Sequence, residues 1–134
     1  EYLIVYEDGL VAFDGSLTSL DAVSNTVSVT ITDNKITATN NLLNSTFTIN
    51  STGTTLLSKS NKYIGNTANS NALTGSATEL TNSLSILSDG NFDVKSSGGA
   101  YLRYNSASNQ TRFRYFKSSS YTSQKAIQLY KLEN

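Results

Sequence analysis

Residues 66–71 read NTANSN and residues 105–110 read NSASNQ, and each of these polar stretches follows a short segment that resembles a strand. The preceding segments open with KYI at 62–64 and with AYL at 100–102. Two loops of one composition therefore occupy equivalent places in the chain, which indicates an internal repeat. This repeat predicts an architecture without predicting any chemistry.

Paired strands lie on both sides of the repeated loops. Three stretches read as two short strands around a tight turn, and three later strands can close the units that these pairs begin. The result is three units of roughly 38 to 50 residues, within the usual range for repeat units. The pairs are YLIVYE-DG-LVAF (2–13), TLLSKS-N-KYIG (55–65) and FDVKSSGGAYLRY (92–104), and the closing strands are STFTI (45–49), NSLSI (82–86) and AIQLY (126–130).

Period-two alternation dominates the rest of the chain. In VSVTIT, Val27, Val29 and Ile31 point one way and the intervening polar residues point the other way, as in an antiparallel strand with one wet face. Asp33-Asn34 then suits a tight turn, so residues 27–39 are predicted to form a hairpin. Residues 16–23, SLTSLDAV, have apolar residues three apart and are predicted as a short helix or a loop.

Twelve short strands in three four-strand units favour a β-trefoil, in which six strands close a barrel and six form a hairpin cap. Closure of a barrel leaves no long free edges. An antiparallel β-sandwich is the alternative, because turns every 8 to 12 residues suit it equally and the first unit is longer than the others. The predicted core residues are Val29, Ile31, Phe47, Ile49, Leu84, Ile86, Leu102, Phe113, Ile127 and Leu129.

Composition limits the possible functions. The 134 residues (1–134) fit one domain, and this length can bury a core without a metal or a disulfide. Cys and His are both absent, which excludes thiolate chemistry, Ser-His-Asp sites and ordinary zinc sites. Ten basic residues balance ten acidic ones, which disfavours nucleic acid, and no apolar run is long enough for a membrane span. No cofactor is expected.

The last third of the chain breaks this balance and is predicted to be basic. In TRFRYFK (111–117), alternation puts Arg112, Arg114 and Phe116 on one face. Such a face could hold a carboxylate, phosphate or sulfate, or stack on a sugar. The alternative is a structural strand whose arginines cover apolar surface and pair with acids of the first unit.

The repeated loops supply candidate sugar-binding groups. Tyr104 offers a flat ring, and Asn105, Asn109 and Gln110 offer amides that can bond to vicinal hydroxyl groups. The matching loop offers further amides. Asn-rich loops are also typical of turns whose side chains bond their own backbone, so this alternative stays open. The amides of the matching loop belong to Asn66, Asn69 and Asn71.

The acidic residues do not indicate a catalytic or metal site. DGNFD (89–93) has the opening spacing of a calcium loop, but Val94 and Lys95 follow it where a glycine and further ligands are needed. An Asp-Gly hairpin turn is therefore favoured there. No spacing nominates a pair of carboxylates for acid–base work, so a protein without enzymatic activity is expected.

The string AYLRYNSASNQTRFRYFKSSSYTSQKAIQLYKLE (100–133) resembles the C-terminal ends of large secreted or surface multidomain proteins of Bacteroidetes-type gut bacteria. NKYIGNTANSNALTGSATELTN (61–82) is similar to the preceding part of the same module. The family has no assigned purpose, so the resemblance implies an extracytoplasmic accessory module of a longer protein and no site residues. Residues nominated from chemistry alone are Tyr101, Arg103, Arg112, Arg114, Tyr115 and Tyr130.

Two functions follow from these observations. The first is a non-catalytic accessory module that binds a polysaccharide or other glycan, neutral or acidic, outside the cell or on its surface. The second is a structural spacer or protein-interaction domain that contacts other domains of the parent protein. A concave site with an exposed ring and convergent amide or guanidinium groups would favour the first.

Overall fold

The computed structural model describes residues 1–133, and these residues form an all-β fold of mainly antiparallel sheets. Helical structure is limited to α1 (Asn40–Leu43) and to 3₁₀ turns at Glu7–Gly9 and Tyr121–Ser123. No helix among the described residues is long and apolar enough to cross a membrane. The strands are β1 (Tyr2–Tyr6), β2 (Val11–Phe13), β3 (Thr26–Ser28), β4 (Ile36–Thr37), β5 (Phe47–Ile49), β6 (Leu56–Ser58), β7 (Tyr63–Gly65), β8 (Thr74–Ser76), β9 (Asn82–Ile86), β10 (Phe92–Ser96), β11 (Tyr101–Asn105), β12 (Arg112–Phe116) and β13 (Gln128–Glu133).

The strand pairs predicted from the sequence are confirmed. β1 pairs with β2, β6 with β7 and β10 with β11, all antiparallel. Each pair is followed by a strand that forms a hairpin with its second member, which gives β2–β3, β7–β8 and β11–β12. The predicted closing strands are β5, β9 and β13. The two repeated loops therefore occupy the same place in two successive units, between β7 and β8 and between β11 and β12.

The larger sheet runs in the order β3-β2-β1-β5-β6-β7-β8, with β13 also paired to β1, and the smaller sheet runs β12-β11-β10-β9. Short contacts join the two sheets. Phe92 bridges to Ile127, and the backbone N–H of Asn82 donates to the carbonyl of Thr54 at 2.7 Å. The first link joins β10 to the residue before β13, and the second joins β9 to the segment before β6.

The first unit carries an insertion that accounts for its extra length. The turn at Asp33-Asn34 is present, with φ of 52° and 61°, but the predicted hairpin around it reduces to one bridge between Thr32 and Lys35. β4 instead pairs in parallel with β13, because apolar Ile36 is drawn into a small second core under the insertion. The backbone N–H of Leu42 donates to the Thr39 hydroxyl at 3.2 Å, which caps α1.

Residues 16–23 form turns and bends, so the loop of the two options is observed. Leu20 is buried there, while Val23 is 45% exposed. Leu17 also packs against the main cluster, so two of the three apolar residues reach the core from a loop without a helical face. The only α-helix within residues 1–133 is α1, which the sequence pattern does not predict.

Most of the predicted core residues are buried or partly buried. Val29, Phe47, Leu102, Phe113 and Ile127 are at most 6% exposed. Leu84, Ile49 and Leu129 pack against the main cluster, and Ile31 packs against the smaller one. The prediction of Ile86 as a core residue is wrong, since Ile86 is 59% exposed. It ends β9, where the strand runs past the core into the turn at residues 87–91.

An Asx turn recurs at one place in all three units. Asp14 and Asn66 lie directly after β2 and β7, and Asn105 is the last residue of β11. The side-chain Oδ1 of each accepts a hydrogen bond from the backbone N–H two residues further on, at 2.9, 2.9 and 3.0 Å. A carboxylate or amide oxygen satisfies the first backbone donor of the loop in this way. The repeat seen in the sequence is thus a repeat of geometry as well.

Candidate functional site

The predicted basic stretch lies on the β11–β12 hairpin. Residues on one side of the hairpin, such as Leu102 and Phe113, are buried, while those on the other side are partly exposed. Alternation along each strand produces this division. We call the partly exposed set the hairpin face, and it consists of Tyr101, Arg103, Asn105, Arg112 and Arg114.

Two arginines face each other across the hairpin. The register places Arg103 directly opposite Arg114, and Arg112 opposite Asn105. Like charges directly opposite on one face of an antiparallel pair destabilise the sheet. The hairpin face therefore has an electrostatic cost that must be offset by nearby groups.

Asp21 of the first unit offsets part of this cost. Arg114 Nε lies 2.9 Å from Asp21 Oδ1, and Arg114 Nη2 donates to Oδ2 at 3.0 Å. Arg112 Nη1 donates to the Asp21 carbonyl at 3.1 Å and lies 3.7 Å from Oδ1. Oδ1 is buried and accepts no well-aligned hydrogen bond, so attraction between charges dominates there. The alternative in which arginines pair with acids of the first unit thus describes Arg112 and Arg114.

Arg103 has a different neighbour. Its guanidinium carbon lies 4.9 Å from the ring centroid of Tyr121, and Tyr121 stacks on Tyr101 with centroids 4.0 Å apart. Lys95 Nζ lies 5.7 Å from the Tyr101 centroid on the hairpin face. Both rings are partly exposed. The result is a stack of cation, ring, ring and cation beside the arginine pair, held by cation–π attraction.

Tyr104, by contrast, is part of the core and is 7% exposed. Its ring stacks on Tyr6 with centroids 4.8 Å apart and packs against Phe113 at the same distance. Burial raises the pKa of Tyr104, while a hydrogen bond with Thr111 opposes the shift. The exposed aromatic surface expected at Tyr104 is found instead at Tyr101 and Tyr121.

The loop at residues 105–110 remains open to solvent. Asn105 Oδ1 accepts from the Ala107 N–H, and Gln110 Oε1 accepts from Arg112 Nη2 at 2.8 Å. Asn109 is exposed, with φ of 67°. Within residues 1–133, Asn105 Nδ2 and the side chain of Asn109 have no hydrogen-bond partner. These donors next to the guanidinium groups are available to a ligand.

The matching loop is occupied by its own contacts. Asn66 is buried, and its Nδ2 donates to the carbonyls of Ser70 at 2.9 Å and Ala72 at 3.2 Å. Asn71 Oδ1 accepts from the Lys117 N–H at 2.9 Å. Asn69 likewise bonds both the N–H and the hydroxyl of Ser118, at 2.8 Å each. The amides of Asn69 and Asn71 therefore tie the second unit to the third, and that of Asn66 closes the loop on itself.

The two loops do not converge. Asn69 and Asn71 contact the chain just after β12, whereas the loop at residues 105–110 precedes it. A five-residue strand separates the two places by about 13 Å. The structure therefore brings together Asn105, Gln110, Arg112 and Arg114 but leaves Asn66, Asn69 and Asn71 at the other end of the strand.

The acidic loop at residues 89–93 is an Asp-Gly turn, as predicted. Gly90 has a φ of 87°, its N–H donates to Leu87, and the N–H of Asn91 donates to Asp89 Oδ1 at 3.0 Å. Within residues 1–133, no three acidic side chains converge on a position that could hold a metal ion.

Two concave regions lie elsewhere on the described surface. A groove of about 530 Å³ runs along β13, where Tyr130 and Gln128 contribute a ring and an amide, and Asn34 and Lys35 form one end. A smaller groove of about 300 Å³ is lined mainly by hydroxyl groups between β3 and α1. Of the residues nominated from the sequence, only Tyr130 lines either groove. The groove along β13 depends on where neighbouring strands end, which no local motif reveals.

In comparisons with known proteins, no protein-family model, no curated protein and no solved structure matches this chain.

Proposed function

We propose that this chain is a non-catalytic module that binds acidic glycans on the hairpin face. The observation that carries the proposal is the pairing of Arg103 with Arg114 across β11 and β12 on the solvent side. A like-charge pair costs stability. A bound carboxylate or sulfate group would remove that cost, so the arrangement suits an anionic ligand.

Charge balance supports the same ligand class. The hairpin face carries three guanidinium groups, and two of them, from Arg112 and Arg114, share the single carboxylate of Asp21. Arg112 and Arg114 are held by Asp21 and have side chains that are 15% and 25% exposed, so they supply a fixed positive field. Arg103 has no carboxylate partner among residues 1–133 and is the group best placed to contact an anion directly.

The stacked tyrosines supply ordered ring edges and hydroxyl groups to a sugar site. Each ring has one face against the other ring and the opposite face against a cation, which is Lys95 for Tyr101 and Arg103 for Tyr121. Both rings are partly exposed, and hydroxyl groups that are already ordered lose little entropy when they bond a sugar. Asn105 and Asn109 could then donate to sugar hydroxyl groups from the adjoining loop.

The absence of catalysis and the extracellular location belong to the proposal. The carboxylate beside the hairpin face, that of Asp21, contacts two arginines, so its oxygens are already engaged by guanidinium groups. The resemblance to C-terminal modules of secreted or surface proteins supports an accessory role outside the cell. Other domains of such a parent protein would then be partners.

Affinity electrophoresis tests the proposal. Gels containing polygalacturonate or chondroitin sulfate should retard the protein, gels containing dextran should not, and retardation should weaken as salt rises. Arg103→Gln should reduce affinity about tenfold, because one charge-assisted contact is lost. Lys59→Gln, which removes an equal charge elsewhere on the surface, should change affinity less than about twofold.

Two results would contradict acidic-glycan binding. If no acidic polymer retards the protein at low salt, the hairpin face has no such ligand. If Arg103→Gln and Lys59→Gln weaken retardation equally, the effect is attraction of overall charge.

A structural spacer or protein-interaction domain is the second candidate. The observation in its favour is that the side chains of Asn69 and Asn71 link the second unit to the third, while that of Asn66 holds its own loop together. A glycan array without signal for neutral and acidic sugars would favour this candidate.

For the fold we propose the trefoil over the sandwich. The pairs β13–β1, β1–β5, β5–β6 and β9–β10 support a ring of six strands, and the Phe92–Ile127 bridge and the Asn82–Thr54 bond link its remaining neighbours. Three hairpins, one from each unit, remain outside this ring. A sandwich would instead require two sheets that face each other without such closure. An experimentally determined structure with two separate facing sheets would overturn this choice.

A further inference from the structure

One edge of β13 is only partly covered by other strands. At its start, the carbonyl of Ile127 accepts from the Phe92 N–H at 2.8 Å, and at its end the carbonyl of Glu133 accepts from the Ala38 N–H at 2.6 Å. The opposite edge of β13 pairs with β1 along residues 128–131. Between these two ends, no other strand within residues 1–133 pairs with the edge of β13 that bonds Phe92 and Ala38. We call this the open edge.

The backbone groups that face this gap follow from alternation. Along a strand, successive residues direct their N–H and C=O groups to opposite edges. Because residues 127 and 133 both bond on the open edge, Leu129 and Lys131 also direct their backbone groups there. The backbone N–H and C=O groups of Gln128 and Tyr130 are directed toward β1 instead. The N–H and C=O of Leu129 and the N–H of Lys131 therefore have no partner in another strand.

The unpaired part of β13 lines the bottom of the groove of about 530 Å³. The turn at Asn34-Lys35 forms one end of the groove, and the turn at Gly90 forms the other. The unpaired edge covers residues 128–131, which is about 13 Å of extended chain. An added strand of about four residues fits this length.

The charges in the groove indicate what such a strand would carry. Lys35 and Lys131 lie at the end next to β4, and within residues 1–133 neither ammonium group forms an ion pair. Glu133 lines the same end, which leaves an excess of one positive charge. Glu7 lies at the other end and accepts a hydrogen bond from the Tyr130 hydroxyl at 3.3 Å. An acidic side chain is therefore favoured next to the two lysines.

We propose that the groove along β13 binds an extended peptide segment as an added β-strand, with an acidic side chain directed toward Lys35 and Lys131. The N–H and C=O groups of the peptide would pair with those of Leu129 and Lys131, as in other cases of strand addition. Unpaired edges otherwise favour uncontrolled association. This site shares no residue with the hairpin face, so the two proposals stand or fall separately.

Amide hydrogen exchange measured by NMR tests the proposal. The probe is the hexapeptide Ac-TVTDVT-NH₂ at millimolar concentration. In the free protein, the amides of Leu129 and Lys131 should exchange about a hundredfold faster than those of Gln128 and Tyr130. Addition of the peptide should slow exchange at Leu129 and Lys131 about tenfold and leave Tyr130 unchanged. Ac-TVTKVT-NH₂ should give a smaller effect.

Modified peptides test the pairing itself. Two versions of the probe carry N-methyl groups on the odd or on the even residues. One version should bind and the other should not, because only one set of peptide N–H groups faces β13. Equal binding by both versions would overturn strand addition.

Variants of the protein complete the test. Lys131→Pro removes only an N–H that faces the gap, so the protein should fold and lose peptide binding at least tenfold. Should that variant not fold, Lys131→Glu keeps the N–H and should weaken binding of the acidic probe relative to the lysine probe.

Three results would overturn the inference. The first is slow exchange at Leu129 and Lys131 in the free protein, as slow as at Tyr130. The second is exchange that millimolar peptide does not alter. The third is protection that rises with protein concentration in the absence of peptide, which would make a second copy of the chain the occupant.

Discussion

The loops at residues 66–71 and 105–110 have nearly the same composition and the same place in their units, yet they make different contacts. The first loop is locked into the molecule: Asn66 is 5% exposed, and the neighbouring amides bond the chain after β12. The second loop bonds only itself and Arg112. An Asx turn begins both loops, so the shared sequence pattern specifies that turn and nothing beyond it.

The surroundings of each loop explain the difference. The turn at Gly98-Gly99 packs directly on the first loop, and the Gly98 N–H donates to the Asn66 carbonyl at 3.0 Å. Within residues 1–133, no backbone hydrogen bond of this kind joins another turn to residues 105–110. One loop has therefore become part of the core structure, and the other is free to contact a ligand.

The largest expected effect concerns the contact between Gly98 and the first loop. In Gly98→Ala, the new Cβ would clash with the backbone of Thr67 and Ala68, and backbone cannot move aside without disrupting the loop. We expect a loss of about 3 kcal/mol in the free energy of unfolding, measured by urea denaturation.

Gly90→Ala is the control for that substitution. A Cβ at Gly90 meets no atom within 4 Å, although φ is +87°. Backbone strain alone should cost about 1 kcal/mol there. Equal losses in the free energy of unfolding for the two variants would show that the close packing at Gly98 does not contribute to stability.

Asn66 should be the next most sensitive position. Asn66→Ala removes two donated hydrogen bonds and one accepted bond from a buried place, which should cost about 2 to 3 kcal/mol. Asn66→Asp keeps the acceptor for Ala68 but turns a carboxylate toward two carbonyls, so it should be at least as damaging. Asn105→Asp should cost less than about 0.5 kcal/mol in the same denaturation experiment. The comparison fails if the two aspartate variants are equally stable.

A third prediction concerns the bond beneath the first loop. The Tyr115 hydroxyl donates to Asn82 Oδ1 at 2.6 Å, and the backbone of Tyr115 bridges to Ala72. Burial raises the pKa of Tyr115. The stability that depends on its neutral form is complete below about pH 10, the value for an unfolded tyrosine, and is lost as pH rises above it.

Tyr115→Phe should therefore act in two ways. At pH 7 it should cost about 1 to 2 kcal/mol, because Asn82 Oδ1 loses its partner in the interior. Between pH 10 and 11 the decline of stability should be shallower than in the wild type, by up to about 1.4 kcal/mol per pH unit. Parallel stability curves for the two proteins would mean that Tyr115 ionises as readily in the folded state as in the unfolded state.

Much of the fold could be predicted from the sequence, because alternation and tight turns are local signals. The strand pairs and the Asp-Gly turn are right for this reason. The burial of Tyr104 follows from the same local signal, since Tyr104 lies two residues after Leu102, a predicted core residue, and a strand places both on one face. Ile86 shows the converse, since alternation does not indicate where a strand leaves the core.

The contacts of the site depend on distant parts of the chain. The ion pair between Arg114 and Asp21 joins residues 93 positions apart. The stack of Tyr121 on Tyr101 depends on the path of an irregular segment after β12. No spacing in the sequence reports such contacts, so the basic face could be predicted but its partners could not. The trefoil and the glycan ligand stay predictions.

The smallest expected effect on stability is at the second loop, and it is the one that tests function most directly. In the double variant Asn105→Ala and Gln110→Ala, the exposed Asx bond to Ala107 and the bond to Arg112 are lost. Both bonds face water, so the free energy of unfolding should fall by less than about 1 kcal/mol. If the hairpin face binds acidic glycans, retardation in polygalacturonate gels should nevertheless fall several-fold, because a ligand donor is removed and Arg112 loses the contact that orients it. A loss of 2 kcal/mol or more with unchanged retardation would instead assign this loop the structural role of residues 66–71, and the contrast between the two loops would disappear.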